Sequence, residues 1–218
     1  MTNGRPPADP ARPDRRVELP PARTSDGPGL WEALRTRRSV RKYLRLSLGL
    51  QDLSQLLWAA QGLTSSRGPR GLRTAPSAGA CYPIDTYVAV GEVADLEPGL
   101  WRYEVDGHGL ELTRPGDLRA DLARAALGQT FLAICPAVFC FTLVLERTAA
   151  RYGERAFRYA CLDCGHLAQN LALAAAGLGY GTCMVGAFDD TAVAEVLGLD
   201  PTDPREVPLY LIPVGRPA

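Results

Sequence analysis

The chain has 218 residues, enough for one domain with a sizeable core and too few to expect two. Its 24 basic and 24 acidic side chains balance, so no net field draws it to nucleic acid or to a membrane surface. The apolar share of 46% is that of an ordinary globular protein.

Residues 1–28 are rich in Pro, Arg, Asp and Gly and hold almost no large apolar side chains. They read as a flexible tail, because they cannot bury enough surface to offset the entropy of ordering. Residues 29–218 read as the single folded domain. The opening residues lack the apolar stretch of a signal peptide. The longest apolar run, 171–178, is less than half of the roughly 20 residues a membrane span needs. A cytoplasmic, membrane-free protein is the expectation.

Leu30, Trp31 and Leu34 have helical spacing and predict a short helix over 30–38. It runs into Arg37, Arg38, Ser39, Val40, Arg41, Lys42, Tyr43. Such a cluster is either a solvated face or, with several guanidinium forks around a hydroxyl, a phosphate grip. Leu53, Leu56, Leu57 and Ala60 predict an amphipathic helix over 52–63. A polar loop over 65–73 follows, then the small-residue segment 73–83, which is either a connection or a place where backbone approaches a flat ligand.

Residues 84–90 read as a strand. Strands over 100–105 and 110–113 flank Asp106-Gly107, a hairpin signal. A helix over 117–127 ends at Gly128-Gln129. Residues 137–145 read as a buried strand, and a long helix spans 154–178. A buried extended run covers 181–188, and a helix capped by Asp189 or Asp190 runs to 197. A last strand covers 207–214. This order predicts an α+β layered fold rather than strict βαβ alternation.

The run Gly177-Leu-Gly-Tyr-Gly181 follows a helix and precedes a strand, the reverse of the dinucleotide-binding order, which excludes that fold. The six cysteines are expected to be reduced and buried, and Cys161-x-x-Cys164 to be small core residues rather than a metal or redox pair. His108 is expected at a hairpin turn, facing solvent. His166, mid-helix beside Asp163, Gln169 and Asn170, is expected to be a hydrogen-bonded core or interface residue rather than a base. No third ligand accompanies either histidine, so no metal site is expected. With no triad and no Walker loop, these residues fit a site where a bound cofactor carries the chemistry.

RRSVRKY, PSAGACYP, Gly128-Gln129, RYGERAFRYACLDCGHLAQNLALAA, GLGYGTCMVGAFDD and the terminal PVGRP together resemble the FMN-dependent nitroreductase superfamily. More narrowly they resemble its SagB-type branch, which includes thiazole- and oxazole-forming peptide dehydrogenases. The resemblance covers about residues 30–217. It implies a three-layer α-β-α sandwich with a mixed, mostly antiparallel sheet and a long dimer-core helix, two chains sharing two FMN at their interface. It implies that Arg37, Arg38, Ser39, Arg41 and Arg216 hold the FMN phosphate and ribityl chain. Pro76, Ser77, Ala78 and Gly79 would pass the ring or tail, Gln129 would touch flavin or substrate, and Val185, Gly186 and Ala187 would line the ring. The implied reaction is dehydrogenation of a peptide or natural-product intermediate, azoline to azole, with oxygen reoxidising the flavin, alone or within a biosynthetic complex. The Lys-Tyr pair associated with azoline oxidation would align with Arg151-Tyr152. Arginine stays protonated and is a poor base, so Tyr152 would have to act, with Arg151 or Arg155 beside it. The alternatives are an NAD(P)H-fed reductase of nitro compounds or quinones, and a non-catalytic flavin- or peptide-binding subunit.

Overall fold

The computed structural model describes residues 15–218 apart from Pro69. Seven strands form one sheet: β1 (Arg16–Glu18), β4 (Ile84–Val90), β5 (Gly99–Glu104), β6 (Gly109–Pro115), β7 (Ala137–Val144), β8 (Gly181–Thr182) and β9 (Glu206–Gly215). Their spatial order is β1-β6-β5-β4-β7-β9-β8. Every pairing of these strands is antiparallel. The parallel component is confined to isolated bridges such as Ser39 to Thr182. A separate small hairpin, β2 (Leu63–Ser65) with β3 (Leu72–Arg73), occupies the expected polar loop.

The helices are α1 (Leu30–Thr36), α2 (Leu50–Gln61), α3 (Arg119–Ala125), α4 (Phe131–Ile134), α5 (Glu146–Tyr152), α6 (Ala156–Gly177) and α7 (Asp190–Leu197). Strand β7 shows why there are three layers. Ala137, Phe139, Phe141 and Leu143 enter one core with Leu53, Leu57, Leu167 and Leu171 from α2 and α6. Val138 and Cys140 enter the other with Leu122, Val193 and Leu197 from α3 and α7. Successive side chains of a strand point to opposite faces, so an unbroken apolar run requires cover on both. The expected α-β-α sandwich is the fold observed.

Helix α6 buries Ala156, Ala160, Asp163, Cys164, Leu167, Ala168, Leu171, Ala172 and Ala175, the stripe of a 3.6-residue period. Its other side leaves Phe157 and Leu162 more than half exposed, and Leu30 and Trp31 on α1, which packs against α6, are in the same condition. The sequence reading did not anticipate α5. Gly153, at φ 51° and ψ −129°, separates it from α6, a conformation closed to most side chains.

Three expectations need correction. The expected tail extends to residue 28, but from residue 15 it lies on the body; residues 1–14 lie outside the described residues. Strand β1 pairs with β6, Leu19 is buried, and Arg23 exchanges backbone bonds with the Gln55 amide at 2.7 and 3.1 Å. His108 is half-buried rather than solvent-facing. Its Nδ1 lies 2.8 Å from the Tyr103 hydroxyl and its Nε2 2.8 Å from Ser54 Oγ, which in turn donates to Pro20 O. Burial lowers its pKa below the ordinary value. Cys161 is exposed, unlike the other five cysteines, because it falls on the outer side of α6.

Candidate functional site

The first part of the site forms where α1 ends. Beyond Thr36 the chain becomes extended: Ser39 bridges Thr182, and Val40 N donates to Thr182 O at 2.8 Å. Buried Tyr43 bridges Pro217 and donates its hydroxyl to Val40 O at 2.7 Å. Leu44 N donates to Arg216 O at 2.9 Å. This lacing brings Arg37, Arg38, Ser39 and Arg41 to the chain's C-terminal strand and to Arg216. Arg216 donates to Leu178 O at 2.9 Å and stacks 4.0 Å over the Tyr180 ring. Burial, and then the hydrogen bond to Asp52, pushes the Tyr180 hydroxyl up to about 12. Burial also raises the Cys183 thiol, opposed by the nearby charge of Arg41.

A cleft of about 180 Å³ opens here, lined by Arg37, Arg38, Ala172, Ala176, Gly179 and Thr182. Among the described residues, the buried or half-buried arginines that pair with carboxylates are elsewhere: Arg102, Arg119 and Arg147. Arg37, Arg38, Arg41 and Arg216 have no such partner there. Among the described residues, Arg38 donates to the carbonyls of Arg35 and Arg37, at 3.0 and 2.7 Å.

From Thr182 the chain continues extended to Val185, which exchanges both backbone bonds with Leu211 at 2.9 and 3.0 Å. Four extended residues reach about 13 Å, so Gly186 lies at most that far from the arginine cleft. Gly186 and Ala187 are exposed. Gln129 gives its amide nitrogen to Ala126 O at 3.0 Å and Ala187 O at 2.8 Å. Its visible role is therefore to hold the 185–187 segment. Beside Gly186 lies a second cleft, of about 310 Å³, with Phe157, Phe188, Asp190, Glu206 and Leu209 on its walls. Glu206 is fixed there by hydroxyls of Thr142 at 2.6 Å and Tyr87 at 3.1 Å.

The third part is the loop carrying Pro76, Ser77, Ala78 and Gly79, which meets Arg151 and Tyr152 at the end of α5. Gly79 has φ 59°, and a Cβ there would sit 2.7 Å from the Tyr152 hydroxyl and 3.0 Å from Arg151. Arg151 reaches Gly79 O at 3.4 Å. Its guanidinium lies 5.7 Å from the Tyr152 ring centroid, and Tyr159 packs edge-on against that ring at 4.8 Å. Asp163, buried in α6, accepts from Ser77 Oγ at 2.6 Å and from Ala78 N at 3.2 Å. Sequence reasoning did not assign Asp163 a role. The available signal was an acidic residue falling on the helix's apolar stripe between Ala160 and Leu167.

Within one chain these parts do not all meet. Asp163 anchors the loop, while Ala176 lines the arginine cleft thirteen residues later, about 20 Å along α6 at 1.5 Å per residue. Among the described residues, no group of three or more His, Cys, Asp or Glu is placed to hold a metal ion. No described helix is long and apolar enough to cross a membrane. His166 is exposed on the outer side of α6, away from the core.

The pattern of the nitroreductase family matches residues 34–216. Protein MJ1384 of Methanocaldococcus jannaschii, a nitroreductase by name, is 43% identical over 187 residues, covering 86% of this chain and 90% of its own. The trifolitoxin operon protein TfxC of Rhizobium leguminosarum bv. trifolii is 27% identical over 208 residues, 89% of this chain and 57% of that longer protein. The crystal structure of a Ralstonia eutropha JMP134 protein, also a nitroreductase by name, superposes with a TM-score of 0.80 at 34% identity, covering 94% of this chain and 90% of that one.

Proposed function

The chain belongs to the nitroreductase family of oxidoreductases, and from that premise we propose that it is an FMN-dependent dehydrogenase of a peptide or natural-product intermediate. The observation that carries this reading is the set of four arginines without carboxylate partners at one end of an extended segment. Arg37 and Arg216 are half-buried and Arg38 and Arg41 exposed, and four guanidinium forks gathered in one place suit an anion. Here the anion would be the FMN phosphate, held by Arg37, Arg38, Arg41 and Arg216 with Ser39. Residues 185–187, about 13 Å away, suit the ring, because exposed Gly186 and Ala187 let backbone come close to a flat group. Bound there, FMN would supply a two-electron acceptor, returned to its oxidised form by oxygen.

The protein's own contribution is binding, orientation and proton handling. The 310 Å³ cleft beside Gly186 has space for part of a substrate. Tyr152 Oη, resting against Gly79, is the group proposed to take the proton from the substrate carbon, acting as phenolate and becoming the neutral phenol, while the Arg151 guanidinium supplies positive charge. The 20 Å separation along α6 argues that each FMN is completed by the loop at residues 76–79 of a second copy. The exposed Leu30, Trp31, Phe157 and Leu162 supply an apolar surface for that dimer. The similarity to TfxC favours a peptide-like substrate, of azoline type, and a place beside other biosynthetic proteins.

A second reading, favoured by the similarity to proteins named nitroreductases, is a nicotinamide-fed reductase of small electron-poor molecules. Anaerobic mixing of the flavoprotein with NADPH separates the two. The dehydrogenase reading expects the flavin to stay oxidised over minutes, and rapid bleaching would replace it with the reductase. A protein that never takes up FMN would be a binding subunit instead.

A further inference from the structure

We propose that Asp163 is a positioning residue: from inside α6 it fixes the loop at residues 77–82, and through Gly79 it fixes the Tyr152 hydroxyl. The role of that hydroxyl rests on the dehydrogenase reading; the clamp itself rests on geometry alone.

Asp163 is 3% exposed, and among the described residues no basic group lies within ion-pair distance of it. Burying a carboxylate is unfavourable unless hydrogen bonds replace its water. An alanine or leucine, such as its stripe neighbours Ala160 and Leu167, would stabilise the helix at no such cost. What offsets the carboxylate is one loop. Ser77 Oγ donates to Oδ2 at 2.6 Å, and Ala78 N lies 3.2 and 3.3 Å from its two oxygens. Ser77 Oγ also accepts from Tyr82 N at 2.9 Å. The carboxylate thus holds the loop directly at its start and through one hydroxyl at its end.

The loop needs holding. Gly79, Ala80 and Tyr82 have φ of 59°, 52° and 47°. For the two residues that carry a Cβ, this left-handed region is strained. Its carbonyls are clasped from the other side: Arg151 reaches Gly79 O at 3.4 Å, Arg147 reaches Tyr82 O at 3.3 Å, and Arg70 donates to Cys81 O. Asp163 supplies the accepting half of this clamp and the arginines the donating half. The Tyr152 hydroxyl stands on the one residue of the loop that has no side chain to push it away. Release of Asp163 frees the strained turn, and Tyr152 loses its floor.

The test compares Asp163→Ala, Asp163→Asn, Ser77→Ala and the double variant Asp163→Ala/Ser77→Ala as FMN-loaded protein. Hydrogen exchange over residues 77–82, the FMN dissociation constant and the visible circular dichroism of the bound flavin are measured. Asp163→Ala and Ser77→Ala should each speed exchange of that segment at least 100-fold, weaken FMN at least tenfold and alter the dichroism band. The double variant should lose less than the sum of the two single ones, since both remove the Ser77–Asp163 hydrogen bond. Asp163→Asn, which can still accept from Ala78 N, should fall between. If Asp163→Ala does not fold, Ser77→Ala carries its expectations and Asp163→Asn the intermediate one. Unchanged loop exchange overturns the proposal. So does a lowered Tm with FMN affinity and dichroism within twofold of the parent, which would make Asp163 a packing residue only. If the parent protein binds no FMN, the flavin reading fails separately, and loop exchange with the Tyr152 ring shift by NMR decides the clamp.

Discussion

Substituting Gly79 by alanine tests the junction of loop and Tyr152. Two effects separate. The backbone at φ 59° charges an alanine roughly 1–2 kcal/mol for the left-handed conformation. The new Cβ also falls 2.7 Å from the Tyr152 hydroxyl and 3.0 Å from Arg151 Cδ and Nε. Both neighbours are the far parts of flexible side chains, so they swing aside, adding on the order of 0.5–1 kcal/mol of coupling. Gly128→Ala is the control, with φ 78° and nothing within 4 Å of its Cβ. It should show the backbone cost alone, a Tm loss of about 2–8 °C at 2–4 °C per kcal/mol for a chain of this size. Gly79→Ala should lose more than Gly128→Ala in urea unfolding, and the excess should largely vanish when Tyr152→Ala is added. Only Gly79→Ala should impair turnover of a peptide substrate. Equal losses for the two glycines, with no coupling to Tyr152, would refute the contact and the role built on it.

Arg41→Ala and Arg216→Ala should each weaken FMN by about 10- to 100-fold, the worth of a charge-assisted hydrogen bond, in a fluorescence titration. Exposed Arg41 should cost no Tm, whereas Arg216 should, because it also satisfies Leu178 O and covers Tyr180. Burial of Asp85 raises its pKa, but the hydrogen bonds and charges of Arg147 and Arg102 outweigh it and leave the carboxyl below its ordinary value. That stabilisation is present above the unfolded pKa near 3.9 and is lost as pH falls through the folded value. Arg147→Met should therefore cost about 3 kcal/mol at pH 7, with the gap to the parent narrowing below about pH 4 in urea titrations. Leu162→Glu, on the uncovered side of α6, should turn a dimer into a monomer in sedimentation. A variant that stays dimeric would place the interface elsewhere.

The fold was legible where periodicity is strong. Strand β4 lies at the expected residues, β7 and α6 begin or end within two of them, and Asp189 caps α7 by accepting from Ala192 N at 2.8 Å. Helix α5 was not legible, because the short, largely polar segment ERTAARY buries only Thr148 and so carries no apolar stripe, and only the conformation of Gly153 divides it from α6. Ordering of residues 15–28 was hidden for a different reason. They are held by backbone pairing to β6 and by the polar chain of Tyr103, His108, Ser54 and Pro20, neither of which leaves an apolar pattern. In the site, the arginine cluster could be read from local sequence because four of its members lie within 37–41 or at the C-terminal strand's end. Asp163 joins a loop 85 residues earlier in the chain, and no local spacing reports such a contact.

The central claim is that the arginine cleft and residues 185–187 hold FMN. Its most direct test is to denature the protein as purified and identify and count any flavin released, with added FMN titrated against the flavin-free chain. The account predicts one FMN per chain, rebound saturably and about 10- to 100-fold more weakly after Arg216→Ala. A chain that releases no flavin and shows no saturable response to FMN would contradict it.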